Sequence, residues 1–171
     1  MPVLKIFLPC FAAVLLAGCA SYHLGAVNGT VAGEKSVQVL PFNNQTLTPR
    51  LGDALTQSLR ERLQVDATYR LATAGGTGDI VLSGIVREYN RESLGYLNTD
   101  VATPQNYRIG MIAHVTARER STGKLLLDRD VRCHTLVNIG ADLASSERQA
   151  LPLLADELAH KIVELLAEGA W

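Results

Sequence analysis

"YRIGMIAHVTARERSTGKLLLDRDVRCHTLV" runs from Tyr107 to Val137, and its two halves alternate around a short polar turn. In the first half Tyr107, Ile109, Met111, Ala113, Val115 and Ala117 fall on one face, with Arg108, His114, Thr116 and Arg118 on the other. In the second, Leu125, Leu127, Val131, Cys133 and Val137 share a face, opposite Asp128, Asp130, Arg132 and His134. A period of two belongs to half-buried strands, so the stretch is predicted to be an antiparallel hairpin with one wet face. The apolar faces coincide only if odd residues pair with odd ones. A two-residue Thr122-Gly123 loop mixes the faces, whereas a three-residue Ser121-Thr122-Gly123 loop pairs Arg120 with Lys124 and gives Gly123 the positive φ such loops need. That register sets Cys133 against Met111 in the core, His114 against Asp130 outside, and His134 against Gly110.

Upstream, Val37 to Phe42 reads as a short strand buried on both faces or nearly so, followed by a polar loop at Asn43 to Thr46. Thr48-Pro49 offers an N-cap followed by proline at the first helical position, where its missing N–H costs nothing. Leu51, Leu55, Leu59 and Leu63 then form one stripe of a helix reaching about residue 64, opposite Arg60, Glu61 and Gln64. Asp66 to Thr73 has room for a short strand, Gly75 to Gly78 is a turn, and Ile80 to about Glu92 is a strand. Asp79 follows those glycines where a phosphate loop needs Lys and then Ser or Thr. Downstream, Ser146-Glu147-Arg148-Gln149 fits a capping box, and Leu151, Leu154, Leu158, Ile162 and Leu165 carry a last helix, with Pro152 either kinking it or marking its first turn. The predicted fold is α+β, a two-layer sandwich in the order β-α-β-β-β-α, with two helices on one face of a four-stranded mixed sheet.

At the N-terminus Lys5, the apolar run Ile6 to Leu16 and the small pair Ala17-Gly18 read as a signal peptide over residues 1–18. The run is too short to span a bilayer of about 30 Å, and Leu16-Ala17-Gly18-Cys19 resembles the lipobox of bacterial lipoproteins. Cys19 is therefore expected to be the first mature residue, lipidated on its sulfur and acylated on its amine. At roughly 0.8 kcal/mol per buried methylene, two or three chains make the membrane anchor effectively permanent. Ala20, where inner-membrane lipoproteins tend to carry Asp, points to the outer membrane. Residues 19–35 form a Gly-rich tether and residues 36–171 a single domain.

Removing 18 of the 171 residues leaves enough chain for one real core, and the formal charge of −1 becomes −2 without Lys5. That balance argues against a nucleic-acid partner, which would require broad phosphate neutralisation. Cys10 leaves with the signal and Cys19 carries lipid, so Cys133 has no disulfide partner and is expected in the core. Catalytic and metal chemistry find no support. His114 and His134 sit about 13 Å apart on one face, too far to share an ion. Glu88, Glu92 and Asp100 lack a nucleophile or acid/base partner at useful spacing, and His23 and His160 read as solvated surface. No cofactor and no catalytic residue are assigned, and an assembly or binding role is expected.

The mature start Cys19-Ala-Ser-Tyr22-His23-Leu24-Gly25 resembles that of the lipopolysaccharide-assembly lipoproteins, the LptE family. So do "VQVLPFNNQTLTPRLGDALTQSLRERL" for its first strand and helix, "EYNRESLGYLNTDVATPQNYRIGMIAHVTARERSTGKLLL" for its central strands, and "ALPLLADELAHKIVELLAEGAW" for its closing helix. The resemblance covers nearly the whole mature chain. It implies a non-enzymatic outer-membrane lipoprotein that assembles with and plugs the LptD-like β-barrel inserting lipopolysaccharide, its domain in the periplasm or inside the barrel. "VQVLPFNNQT" and "GDIVLSGIV" also resemble envelope lipoproteins of curli secretion and activators of penicillin-binding proteins, which is the alternative reading. The resemblance further implies a lipopolysaccharide contact through basic side chains in the loops at residues 93–105 and 138–147, at the end of the sheet away from the 121–123 turn. Neither loop holds Lys or Arg, so the candidates are the flanking Arg91, Arg108 and Arg148, whose guanidinium forks suit phosphates. Ion pairs to Glu92, Asp100 or Glu147 on a solvated surface are the competing use of those arginines.

Overall fold

The computed structural model describes residues 33–66, 68–72, 76–97, 100–138 and 143–169. Side chains of residues 95–105 and 143 fall outside the description, as do the signal peptide, Cys19 and most of the tether. The elements are β1 (Ser36–Val39), β2 (Asn43–Asn44), α1 (Leu51–Asp66), β3 (Arg70–Leu71), β4 (Ile80–Leu97), β5 (Asp100–Glu119), β6 (Leu125–Asn138) and α2 (Leu143–Glu168). The strands form one mixed sheet in the order β3-β1-β4-β5-β6, with β2 also pairing β4. β1 runs parallel to β3 and β4, whereas β4-β5 and β5-β6 are antiparallel. The two-layer α+β prediction is met, with the two-residue strands β2 and β3 added to the expected four. β3 is the short strand foreseen between Asp66 and Thr73, and β2 lies inside the stretch read as a polar loop.

The core lies between the sheet and the two helices. Ile109, Met111, Ala113, Val115 and Ala117 of β5 and Val131, Cys133 and Val137 of β6 are buried beneath Leu154, Leu158 and Ile162 of α2 and Leu51, Leu55, Leu59 and Leu63 of α1. Each buried Val, Leu, Ile or Met side chain among these contributes about 1.5–3 kcal/mol relative to exposure. Arg62 of α1 donates from Nε at 2.7 Å and from Nη2 to the two carboxylate oxygens of Asp156 on α2. That fork ties the helices side by side and lowers the pKa of Asp156.

The register across β5 and β6 matches the parity argument, with Met111 opposite Cys133, His114 opposite Asp130 and Gly110 opposite His134. The turn differs. It is a four-residue loop, Arg120 to Gly123, closed by Glu119 N to Lys124 O and by Gly123 N to Glu119 O, both 2.9 Å, with Gly123 at φ 72°. A bulge between Ala117 and Arg118 absorbs the extra residue and restores the odd-with-odd register above it. It also turns Leu126 as well as Leu127 into the core, while Leu125, expected inside, is 38 % exposed. Alternation cannot reveal a bulge, because two compensating offsets leave the distant pattern unchanged.

Other boundaries shift for identifiable reasons. α1 starts at Leu51 rather than after Thr48, because Arg50 takes φ 64° and its carbonyl accepts the first helical bond from Ala54 N at 3.0 Å. β1 ends at Val39 rather than Phe42 and is nearly buried on both faces as expected, with Ser36, Val37 and Val39 buried and Gln38 half-buried, while Leu40 beyond its end is 37 % exposed. α2 begins at Leu143, so Ser146-Glu147 is not a capping box, and Pro152 is an exposed residue inside the helix rather than its start. Residues 93–105 and 138–147 are not loops throughout. β4 continues to Leu97, β5 starts at Asp100 and α2 at Leu143, leaving only 98–99 and 139–142 as connections, outside the description. The β4–β5 pairing there is broken by repeated shifts between Ser93 and Leu97.

Candidate functional site

The end of the sheet opposite the Arg120–Gly123 turn gathers the cations singled out from sequence. A shift in the β4–β5 pairing between Val86 and Glu88 reverses which residues of β4 face the helices. Below it Ile80, Leu82 and Val86 point inward, and above it Tyr89 and Arg91 do. Tyr89 Oη donates to Glu147 Oε1 of α2, and Arg91 Nη1 donates to Glu147 Oε2 at 3.0 Å. Glu147 is the inner member, its side chain 16 % exposed against 50 % for Arg91. Burial first, and then the bond to this carboxylate, push the Tyr89 hydroxyl well above the usual phenol range, so it stays a donor. The clasp fixes the first turns of α2 over the middle of β4.

Arg108 lies on the opposite, open face of the sheet, where Nη1 donates to Glu92 Oε2 at 3.1 Å from the neighbouring strand. Arg148 Nε donates to Ala144 O at 3.2 Å on α2. The three arginines therefore share one end of the domain but not one face. Arg91 and Arg148 flank the helix side and Arg108 the bare side, and two of the three already hold a carboxylate. The Tyr89–Glu147 bond was not foreseen. It joins residues 58 apart in sequence, and only the parity reversal near Arg87 brings them together.

The open face continues downward as cross-strand rows. Ile85, His114 and Asp130 make one row, and Ser83, Thr116 and Asp128 the next. His114 sits between two carboxylates, Nδ1 2.9 Å from Asp130 Oδ1 and Nε2 3.0 Å from Asp128 Oδ1, and Arg87 Nη1 reaches Asp130 at 3.0 Å. At the lower end Asp79 accepts from Ser36 N at 2.8 Å and Ser36 Oγ at 2.7 Å, which lowers its pKa, and Lys35 Nζ meets Glu119 at 2.9 Å. Arg120 Nε donates to Gly78 O at 2.9 Å beside them. These bonds hold the chain to the sheet from its first described residues. Among the described residues no group of three or more His, Cys, Asp or Glu side chains is placed to bind a metal, and no helix is long and apolar enough to cross a membrane.

The family model for LptE, lipopolysaccharide-assembly, matches residues 34–166, from just before β1 to near the end of α2. No curated protein sequence matches the chain. Similar solved structures include a lipoprotein of Caulobacter crescentus CB15, at TM-score 0.53 and 12 % identity over 78 % of this chain and 90 % of that one. A protein of Xanthomonas campestris is similar at TM-score 0.56 and 12 % identity over 78 % and 85 %. The PelC dodecamer of Paraburkholderia phytofirmans is similar at TM-score 0.51 and 20 % identity over 79 % and 88 %. At these identities the likeness is one of fold.

Proposed function

The chain belongs to the LptE lipopolysaccharide-assembly family of outer-membrane lipoproteins, and from that premise we propose that it is a non-enzymatic subunit seated in the β-barrel that inserts lipopolysaccharide. The observation that carries this reading is the span of the family match, which takes in every described strand and all but the last two residues of α2. In this reading Cys19 holds the lipid, residues 19–35 the tether, and residues 36–171 a domain facing the periplasm or lying inside the barrel. Curli-secretion and synthase-activator roles, suggested by the β1 segment, lack comparable support. Mild detergent extraction of the tagged lipoprotein should recover a large, heat-modifiable β-barrel protein in fixed ratio. Recovery of a peptidoglycan synthase or a secretion ring without such a barrel would refute it.

The lipopolysaccharide contact is assigned to Arg91, Arg108 and Arg148. Phosphates on the lipid would compete with Glu147 and Glu92 for the guanidinium forks, exchanging one charge-assisted pair for another. Because the arginines flank two faces, they suit two phosphate groups on one large headgroup better than a single anion. An Arg91, Arg108, Arg148 to Ala triple variant should keep its circular dichroism and its barrel partner yet lose affinity for purified lipopolysaccharide at moderate salt. Unchanged affinity would remove the site.

A further inference from the structure

β6 is the last strand of the sheet, and among the described residues nothing pairs with its outer edge. Fourteen residues of edge backbone are an invitation to another strand, which proteins ordinarily discourage with charge, bulges or brevity. The charges here do something more specific than discourage. On the open face the exposed side chains run Asp128, Asp130, Arg132, His134, two acids followed by two bases. Asp128 and Asp130 lean inward on His114, and side-chain exposures of 45 % and 39 % leave both reachable from the edge. Among the described residues neither Arg132 nor His134 has a carboxylate of its own.

We propose that β6 pairs with β6 of a second copy of this chain, antiparallel, about a two-fold axis at Val131. In that register Asp130 faces Arg132 and Asp128 faces His134, and symmetry makes each pair twice. Shifted by two residues one way, Asp130 meets Asp130 and only Asp128–Arg132 remains as an opposite pair; shifted the other way, Arg132 meets Arg132 and only Asp130–His134 remains. A shift of one residue sets the open face of one copy against the covered face of the other. The acid-acid-base-base order therefore favours the one register that has no like-charge pair over its neighbours, as cross-strand charges do within a sheet. The contact is isologous and closes at two copies. It is a state of the chain with β6 uncovered and does not rest on the barrel reading.

The test is sedimentation of the mature lipoprotein in density-matched mild detergent. Two chains per particle are expected. Arg132→Asp should raise the dissociation constant roughly tenfold or more, because two attractive pairs become two repulsive ones. Asp130→Arg combined with Arg132→Asp should restore the dimer, with circular dichroism confirming that both variants fold. Independently, Arg132→Cys should cross-link between copies with a short bismaleimide, whereas Arg118→Cys, one strand further from the axis, should not. A monomeric wild type, an assembly larger than two, a dimer indifferent to Arg132→Asp, or equal cross-linking at both positions would each overturn the pairing.

Discussion

Replacing Thr56 by Val tests whether a single buried hydroxyl holds α1 to the sheet. Thr56 is 6 % exposed; its Oγ1 accepts from Phe42 N at 2.9 Å and donates to Gly52 O at 2.7 Å. Phe42 is the last of the three residues between β1 and β2 and is itself buried, so its N–H has no route to water. Valine keeps the shape and the β-branch and removes only the polar atom. Stranding the Phe42 donor costs about 1–3 kcal/mol, while the added methyl returns at most about 0.8 kcal/mol. The Gly52 carbonyl also serves the helix ladder, so its loss weighs less. A net destabilisation of about 0.2–2 kcal/mol follows, which at an m-value near 2 kcal/mol/M lowers the urea midpoint by about 0.1–1 M. Amide exchange supplies the site-specific readout, since protection at Phe42 should fall in Thr56→Val and persist in Thr56→Ser. Thr56→Val with wild-type stability and a still-protected Phe42 amide would refute the reasoning and assign the helix contact to shape alone.

Other outcomes follow from the same structure. Cys133 is 4 % exposed, its thiol is pushed up to about 12 by burial, and it donates to Leu154 O at 3.3 Å, so native protein should resist maleimide and react only on unfolding, and Cys133→Asp should destabilise by several kcal/mol. Asp79 and Asp156 have folded pKa values below their ordinary ones, so their contribution is present above about pH 4 and is lost as pH falls through the folded values; Asp79→Asn should flatten the acid limb of a thermal-stability profile, and an unchanged limb would remove Ser36 as the cause. Tyr89→Phe should speed amide exchange in the first turns of α2 with little change near Leu158, because Glu147 loses its inner partner. Cys19→Ala should leave an unprocessed precursor that still folds, and an unmodified Cys19 thiol in the mature wild type, seen by mass spectrometry, would refute lipidation.

What the sequence discloses about this fold is what repeats. Strict alternation from Tyr107 to Val137 yields the hairpin, its faces and its register, and four-residue leucine spacing yields α1, because both periods follow from how elements bury one side. Single events stay hidden. The positive φ of Arg50, the extra residue near Arg118 and the parity reversal at Arg87 each occur once, and each moves a boundary or a face. The candidate site depends on such an event. Arg91 is legible as a cation near the end of a strand, yet its partner is fixed by a bulge, and its separation from Arg108 onto another face follows from the same bulge.

The bulges also divide the domain by how firmly it is held, and that division bears on assembly. Below Val86, β4 has partners on both edges, α1 and α2 cover one face, and the Lys35–Glu119, Ser36–Asp79 and Arg120–Gly78 contacts bind the strand ends together. Above Glu88 the outer edge of β4 pairs with no described strand, and beyond the Asn106–Asn138 pair β5 loses β6 as well. Backbone bonded on one edge opens at lower free energy than backbone bonded on both, so the upper ribbon, and first its part beyond the Asn106–Asn138 pair, should exchange its amides before the lower sheet. A partner that orders the ribbon must offset that freedom, and it finds there backbone donors and acceptors free to pair. A rigid lower half with an adaptable upper one fits the proposed subunit, which would fold alone on its lipid and then conform to a larger protein. Amide exchange of the isolated chain and of the proposed barrel complex should therefore differ chiefly between Glu88 and Asn106, and protection gained instead around Val37 or Leu82 would place the contact at the other end.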